Sequence, residues 1–189
     1  MIDAVRIKHD VEAVDSYEAL KFVAGRASMG TGELLKKLRD LQGRTPLVEC
    51  IKAQSLVRGE EELAQMLADL VRVEEVPFGT AVIVQGSSDH DLIFILAGDF
   101  FVVVGRQVIA RRTAGNHVGE MALVDPDAPR SATVTSGSDA VIARISEPEF
   151  SALADRFPSL WRRLAQDLAA RLRRATKQSR YSKPADCAA

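Results

Sequence analysis

Cysteine is scarce in this chain, and no apolar run is long. The 189 residues include only Cys50 and Cys187, which lie far apart without His or Cys at ligand spacing. This excludes a disulfide framework and gives no support to a zinc site. No run of about 18 apolar residues is present to span a bilayer, and the most apolar strip, Leu92 to Val104, is interrupted by Gly98 and Asp99. We therefore expect no metal and no membrane span, in a reducing, cytoplasmic setting.

An excess of charge of one sign is also lacking. The chain has 25 Lys and Arg against 26 Asp and Glu, a net charge of −1, so it has no overall attraction to nucleic acid. The amino terminus, Met1 to Arg6, lacks the basic-then-apolar order of a secretion signal. No nucleophile stands with a base and an orienting group. The sequence therefore predicts a binding protein with no catalytic residues and no nucleic-acid partner.

Short β-type segments separated by glycine turns fill the middle of the chain. Pro77-Phe78-Gly79 marks the predicted change from helix to sheet. Many short strands with frequent glycine turns are typical of an antiparallel barrel or jelly roll. The predicted strands are Ala81 to Gln85, Leu92 to Ala97, Phe100 to Val104, Gln107 to Arg112, His117 to Val118, Ala132 to Ser136 and Ala140 to Ser146.

Helical patterns flank this region, which makes the predicted fold class α+β. We expect residues 1–45 to be a helical extension and residues 46–178 to be one domain, with its barrel at about 76–146 and carboxy-terminal helices at about 147–176. Residues 179–189 lose periodicity and are predicted to be a linker. The last helical pattern places leucines and Trp161 on one stripe, opposite arginines predicted to be a solvated basic face; these are Arg162, Arg163, Arg171, Arg173 and Arg174.

The stretch from Gly119 to Val134 carries the chemistry. Arg130 offers a planar fork of donors for anionic oxygens, and Ser131 and Ala132 add neutral donors beside it. Glu120, ionised, can only accept hydrogen bonds and suits a sugar hydroxyl. Gly119 lets backbone approach a ligand closely, and Glu120 to Leu123 (Glu-Met-Ala-Leu) reads as a helical turn whose N–H groups can point at an anion.

Simpler interpretations of the same residues stay open at this stage. Glu120 and Arg130 could form an ion pair that only ties down a loop. A lone histidine such as His117 is more often a strand-surface residue than a ligand. Asp125 and Asp127 lie between prolines, as in an ordinary solvated turn.

Gly-Glu-Met-Ala-Leu at 119–123 and Pro-Arg-Ser-Ala-Thr-Val at 129–134 resemble the phosphate-binding cassette of cyclic-nucleotide-binding domains. The resemblance implies a cyclic nucleoside monophosphate as ligand and no cofactor. It implies that Glu120 takes the ribose 2′-hydroxyl and Arg130 the exocyclic phosphate oxygens. The peptide groups of Ala122, Ser131 and Ala132 would bind the same phosphate, with Gly119 and Met121 in the same cassette. In this family the last helix serves as a lid over the base or as a dimer seam, which gives Trp161, Leu164 and Leu168 that role and favours a homodimer.

The order of helical preamble, barrel, Trp161-containing helix and linker is similar to the sensor half of bacterial antiphage proteins of the cyclic-pyrimidine (Pycsar) type. That resemblance implies cyclic UMP or another cyclic pyrimidine as ligand, and a following TIR effector that consumes NAD. The alternative is the sensing part of a catabolite-activator-type transcription regulator without its DNA-binding domain. A third possibility is a scaffold that dimerises without ligand.

Overall fold

A computed structural model describes residues 44–181, with side chains for residues 46–176. Residues 1–43 of the predicted extension (1–45) and residues 182–189 of the predicted linker (179–189) lie outside the described residues. The helices are α1 (Arg44–Lys52), α2 (Glu61–Leu70), α3 (Met121–Val124), α4 (Glu147–Arg156) and α5 (Ser159–Tyr181). The strands are β1 (Arg72–Val76), β2 (Ala81–Ile83), β3 (Leu92–Ala97), β4 (Asp99–Val104), β5 (Gln107–Thr113), β6 (His117–Val118), β7 (Thr133–Ser136) and β8 (Ala140–Ile145).

The strands form two four-stranded antiparallel sheets. One has the order β1-β8-β3-β6 and the other β2-β7-β4-β5, and every pair is antiparallel. Apart from the hairpin of β4 and β5, the neighbours in each sheet are not consecutive in sequence, as in a jelly roll. The predicted fold, antiparallel sheets in a jelly roll with a long carboxy-terminal helix, is confirmed.

Strand β3 is buried on both faces, and this divides the core in two. Ile93 and Ile95 pack between the sheets with Phe100 and Ile142. The alternate residues, Leu92, Phe94 and Leu96, pack on the other face against the helices, as the two-residue period of a strand requires. A continuous apolar run, Leu-Ile-Phe-Ile-Leu, is the sequence form of a strand covered on both sides.

Helix α5 is fixed to this helical layer at its amino-terminal half. Leu160 and Leu164 are buried, and the Trp161 ring meets Phe150 edge-on, with centroids 5.6 Å apart. Arg163 donates from Nη1 to the carbonyl of Val57 at 2.7 Å and from Nη2 to Glu60 Oε2 at 2.7 Å. The first half of α5 is therefore anchored to the turn between α1 and α2.

Two predictions, one about the start of the sheet and one about the arginines of α5, were wrong. The sheet begins before Pro77, because Arg72–Val76 pair with β8 as strand β1; its charged sequence, Arg-Val-Glu-Glu-Val, hides the alternation of an edge strand. The arginines of α5 do not form a uniformly solvated face, since the side chains of Arg163 and Arg171 are only 18% and 19% exposed. Among the described residues, no helix is both long enough and apolar enough to cross a membrane.

Candidate functional site

Arg130 lies at the centre of the predicted cassette with a buried guanidinium. Its side chain is 3% exposed. Nη1 donates to the Gly119 carbonyl at 3.0 Å, Nη2 to the Asp91 carbonyl at 2.8 Å, and Nε to Asp89 Oδ2 at 3.0 Å. The backbone of Arg130 is held as well, by hydrogen bonds with Gly86 and Ser87 at 2.8 and 2.9 Å. The fork is therefore pre-positioned, and Asp89, 42% exposed, is its carboxylate partner.

The Asp89 carboxyl responds to this arrangement. Burial alone pushes its pKa up, but hydrogen bonds from Arg130 and Ser87 and the charge of Arg130 outweigh burial and leave the pKa below its ordinary value. Asp89 is thus an ionised carboxylate against the guanidinium, with its side chain partly open to solvent.

Gly119 is required where it stands. Its φ is +91°, and a Cβ added there would lie 2.5 Å from the Asp91 carbonyl oxygen and 3.0 Å from Nη1 of Arg130. A positive φ already disfavours other residues, and here the space is filled by the groups that hold the guanidinium. Gly119, predicted to let the backbone approach a ligand, also leaves the space that the Arg130 guanidinium occupies.

Glu120 follows this glycine directly and is 7% exposed. Its Oε1 accepts a hydrogen bond of 2.7 Å from Nη1 of Arg171, on helix α5. Arg171 Nη2 also lies 2.8 Å from Asp167 Oδ2 and donates to the His117 carbonyl at 3.0 Å. The carboxylate predicted to bind ribose is therefore paired with the last helix, and the loop-tying ion pair between Glu120 and Arg130 does not form.

His117 lies beneath this pair and is fully buried, so the prediction of a strand-surface histidine was wrong. Its Nδ1 is 3.3 Å from Ser55 Oγ, and its Nε2 is 3.3 Å from Asp167 Oδ2. Burial first, and then the charge of Arg171, lowers its pKa to about 3. A neutral imidazole thus links the α1–α2 connection to helix α5.

The remaining residues of the predicted cassette are close in sequence to Glu120 and Arg130. Ala122 and Ala132 are buried, and the N–H of Ala122 makes a 3.3 Å hydrogen bond to the Gly119 carbonyl. Ser131 is exposed and its hydroxyl lies 3.4 Å from the Met121 sulfur. Asp125 and Asp127 are exposed, as in the solvated turn that the sequence suggests. No group of three potential metal-ligating side chains occurs among the described residues.

Trp161, Leu164 and Leu168, predicted as lid or dimer residues, pack against the helical core cluster. The α5 residue that reaches the cassette is Arg171, three residues beyond Leu168. Sequence reasoning missed Arg171 and Asp89 as parts of the site. Both are ordinary surface residue types in their segments, and only the folded chain shows which carboxylate or guanidinium each one meets.

Comparison with known proteins identifies the family to which this sequence is similar. Residues 73–157 match the family described as the cyclic nucleotide-binding domain. The Pycsar effector protein BcPycTIR of Burkholderia cepacia is 42% identical over 142 residues, 75% of this chain and 44% of that protein. The Pycsar effector protein XpPycTIR of Xanthomonas perforans is 40% identical over 74% of this chain and 46% of its own length. The chain spans less than half the length of these relatives.

A solved structure leads to the same fold. The Thermus thermophilus catabolite activator protein superposes with a TM-score of 0.61 at 25% identity, over 68% of this chain and 62% of that one. The resemblance predicted from residues 119–134 is confirmed.

Proposed function

Because residues 73–157 form a cyclic nucleotide-binding domain, we propose that the chain senses a cyclic nucleoside monophosphate held between Arg130 and Glu120, and that helix α5 passes the signal to an attached effector. Arg130 takes the charged phosphate oxygens, with the peptide groups of Ser131 and Ala132 beside it. Glu120 takes the 2′-hydroxyl of the ribose. The chain itself performs no chemistry in this proposal.

One observation supports the proposal above the others: Arg130 donates to the carbonyl of Gly119, the residue that precedes Glu120. A buried cation and a buried carboxylate therefore lie on either side of one peptide, each held by its own partner. A cyclic phosphate fused to a ribose has an anionic end and a hydroxyl end a few ångströms apart. The site offers the matching pair.

Helix α5 is coupled to this pair through Arg171. The Glu120 carboxylate has room for more than one donor, so a ribose hydroxyl can bind beside Arg171 or compete with it. Either way, the ligand changes the free energy of the contact between Glu120 and Arg171. A ligand shifts a helix only when it binds the two helix positions unequally, and this contact makes them unequal.

The finer parts of the proposal depend on the relatives. Because the chain is similar to Pycsar effector proteins, the proposal takes a cyclic pyrimidine such as cyclic UMP as the ligand, a TIR domain that consumes NAD as the effector, and antiphage defence in the cytoplasm as the role. The similarity to a catabolite activator protein keeps a transcription regulator as the second candidate. In both cases α5 is the element that continues toward the effector, and a homodimer along α5 is part of the proposal.

Calorimetric titration with cyclic UMP, CMP, AMP and GMP tests the proposal. We expect saturable binding of at least one nucleotide with one site per chain. If none of the four nucleotides gives a heat of binding, the chain is a scaffold that dimerises without ligand, and the sensor proposal is wrong. The coding sequence that follows Ala189 separates the two effector classes: a TIR domain supports defence, and a helix-turn-helix supports transcription.

A further inference from the structure

Arg112 is a charged residue on the inner side of strand β5. Exposure alternates along this strand, and Val108, Ala110 and Arg112 are the partly buried positions. Arg112 lies directly opposite Phe100 in the sheet, and Phe100 is fully buried in the cluster between the sheets. Residues opposite each other in an antiparallel pair share a face. The Arg112 side chain therefore lies on the face of its sheet that packs against the other sheet.

The guanidinium of Arg112 is incompletely satisfied. Its Nε is buried and has no hydrogen-bond partner in the described part of the chain, and Nη1 donates to the Arg111 carbonyl at 3.1 Å. No carboxylate of residues 46–176 lies within ion-pair distance of it. A buried donor without a partner costs free energy, so the Nε of Arg112 is a candidate hydrogen-bond donor to water or to a bound ligand.

The charges that act on Arg112 identify its surroundings. Burial first, and then the charge of Arg171, lowers its pKa, while Glu120 and Asp167 oppose the shift and Arg174 adds to it. Phe100, the residue opposite Arg112, packs in the same cluster as Val118, which lies two residues before Glu120, and this places Arg112 at the Glu120 end of the site. Both carboxylates there already contact Arg171, which leaves the fork of Arg112 as surplus donor capacity next to the proposed ribose position.

The covalent structure of a nucleotide determines what comes next to the ribose. The 2′-hydroxyl stands on the carbon beside C1′, and C1′ carries the base. If Glu120 binds that hydroxyl and Arg130 binds the phosphate, the base lies near Glu120, on the side of the sugar away from Arg130. Three cations act on each other near Glu120, namely Arg112, Arg171 and Arg174, and of these Arg171 already pairs with Glu120 and Asp167.

A guanidinium donates hydrogen bonds and never accepts them. Uracil O4 and guanine O6 are acceptors, whereas cytosine N4 and adenine N6 are amino donors at the same positions. We propose that Arg112 reads the base of the bound nucleotide at position 4 of a pyrimidine or position 6 of a purine. It selects uracil or guanine, which carry a carbonyl there, over cytosine and adenine, which carry an amino group. This proposal depends on the nucleotide site proposed above and adds the class of base.

The four nucleotides form a two-by-two test, because they separate base size from base edge. We expect cyclic UMP to bind more tightly than cyclic CMP, and cyclic GMP more tightly than cyclic AMP, each by about tenfold or more, as for other arginine–base pairs. Calorimetry or competition against a fluorescent cyclic nucleotide measures all four. Equal affinities within each pair, or tighter binding of the amino base, overturn the proposal.

Two variants and a matched control assign the effect to the side chain. Arg112→Met removes the donors at similar length, and we expect the carbonyl-to-amino ratio to fall to about one. Arg112→Lys keeps the charge without the fork and should lower the ratio in part. Arg173→Met removes the same charge from an exposed position on α5 and should leave the ratio unchanged.

The outcomes distinguish this proposal from the one it depends on. If Arg112→Met weakens all four nucleotides by the same factor, Arg112 serves the phosphate or the fold, and base reading is refuted while the sensor stands. If the wild-type chain binds none of the four, both proposals fail. Thermal unfolding of each variant confirms folding, and the Lys variant keeps the test decisive if the Met variant unfolds.

Discussion

Nη1 of Arg171 lies 2.7 Å from Oε1 of Glu120, across 51 positions of sequence. The contact joins the middle of the last helix to the carboxylate proposed to bind ribose. Both groups are largely buried, at 19% and 9% side-chain exposure, so the pair is much less screened than a surface salt bridge. If Glu120 binds the ribose as proposed, this contact links occupancy of the site energetically to the position of α5.

Replacing Arg171 by Met should weaken the binding of a cyclic ribonucleotide by about tenfold, because Glu120 then loses the hydrogen bond that orients its carboxylate. The 2′-deoxy form of the same cyclic nucleotide lacks the hydroxyl, so its affinity should change much less. Competition titration of both nucleotides against both proteins measures the difference. Arg173→Met serves as the control, and an equal loss for the two nucleotides would refute a role through Glu120.

Gly119→Ala should destabilise the protein more than Gly79→Ala. Both glycines have positive φ, +91° and +78°, but a Cβ at Gly79 meets nothing within 4 Å, whereas one at Gly119 collides with the Asp91 carbonyl. Backbone strain alone costs about 1–2 kcal/mol, and the collision adds to it. Urea unfolding measures the free energies, and only Gly119→Ala should also weaken nucleotide binding. Equal effects of the two substitutions would contradict the close fit around Arg130.

Stability should decrease as the pH falls below the ordinary pKa of histidine, because of His117. Its pKa is about 3 in the folded chain and about 6.5 unfolded, so the unfolded chain binds one more proton between these values. The contribution is complete above about pH 6.5 and is lost progressively toward pH 3, by up to about 1.4 kcal/mol per pH unit.

Urea unfolding between about pH 7 and pH 5 tests this slope, since most carboxyls stay ionised there. A His117→Gln variant removes the titrating group and should flatten the dependence, whatever its absolute stability. A slope identical in wild type and variant would show that other groups account for it.

Trp161 is the single tryptophan of the chain and lies on α5 against Phe150, with its Nε1 3.4 Å from Asp155 Oδ1. If nucleotide binding repositions the helix, the emission of Trp161 should change with the same midpoint as binding. Fluorescence titration measures this. Binding without any change in emission would indicate that the amino-terminal half of α5 stays fixed and that only the segment around Arg171 moves.

The sequence is informative about local chemistry and less so about partners. The dense local pattern of Gly119, Glu120 and Arg130 is enough to predict a binding site there. Strands β2 to β8 could be predicted because apolar strand segments and glycine turns are local features too. Strand β1 was missed because it is an edge strand of charged residues. His117, Asp89 and Arg171 were missed because burial and pairing across 40 to 60 positions depend on the packing of sheets and helices, which no local pattern contains.

The calorimetric titration of the wild-type chain beside Arg130→Ala tests the central claim most directly. In the proposed site Arg130 binds the anionic end of the ligand, so its loss should cost about 2–4 kcal/mol of binding free energy for the preferred cyclic nucleotide, with the variant still folded by circular dichroism. Unchanged affinity in a folded Arg130→Ala protein would show that the nucleotide binds elsewhere, and the account of this site would be wrong.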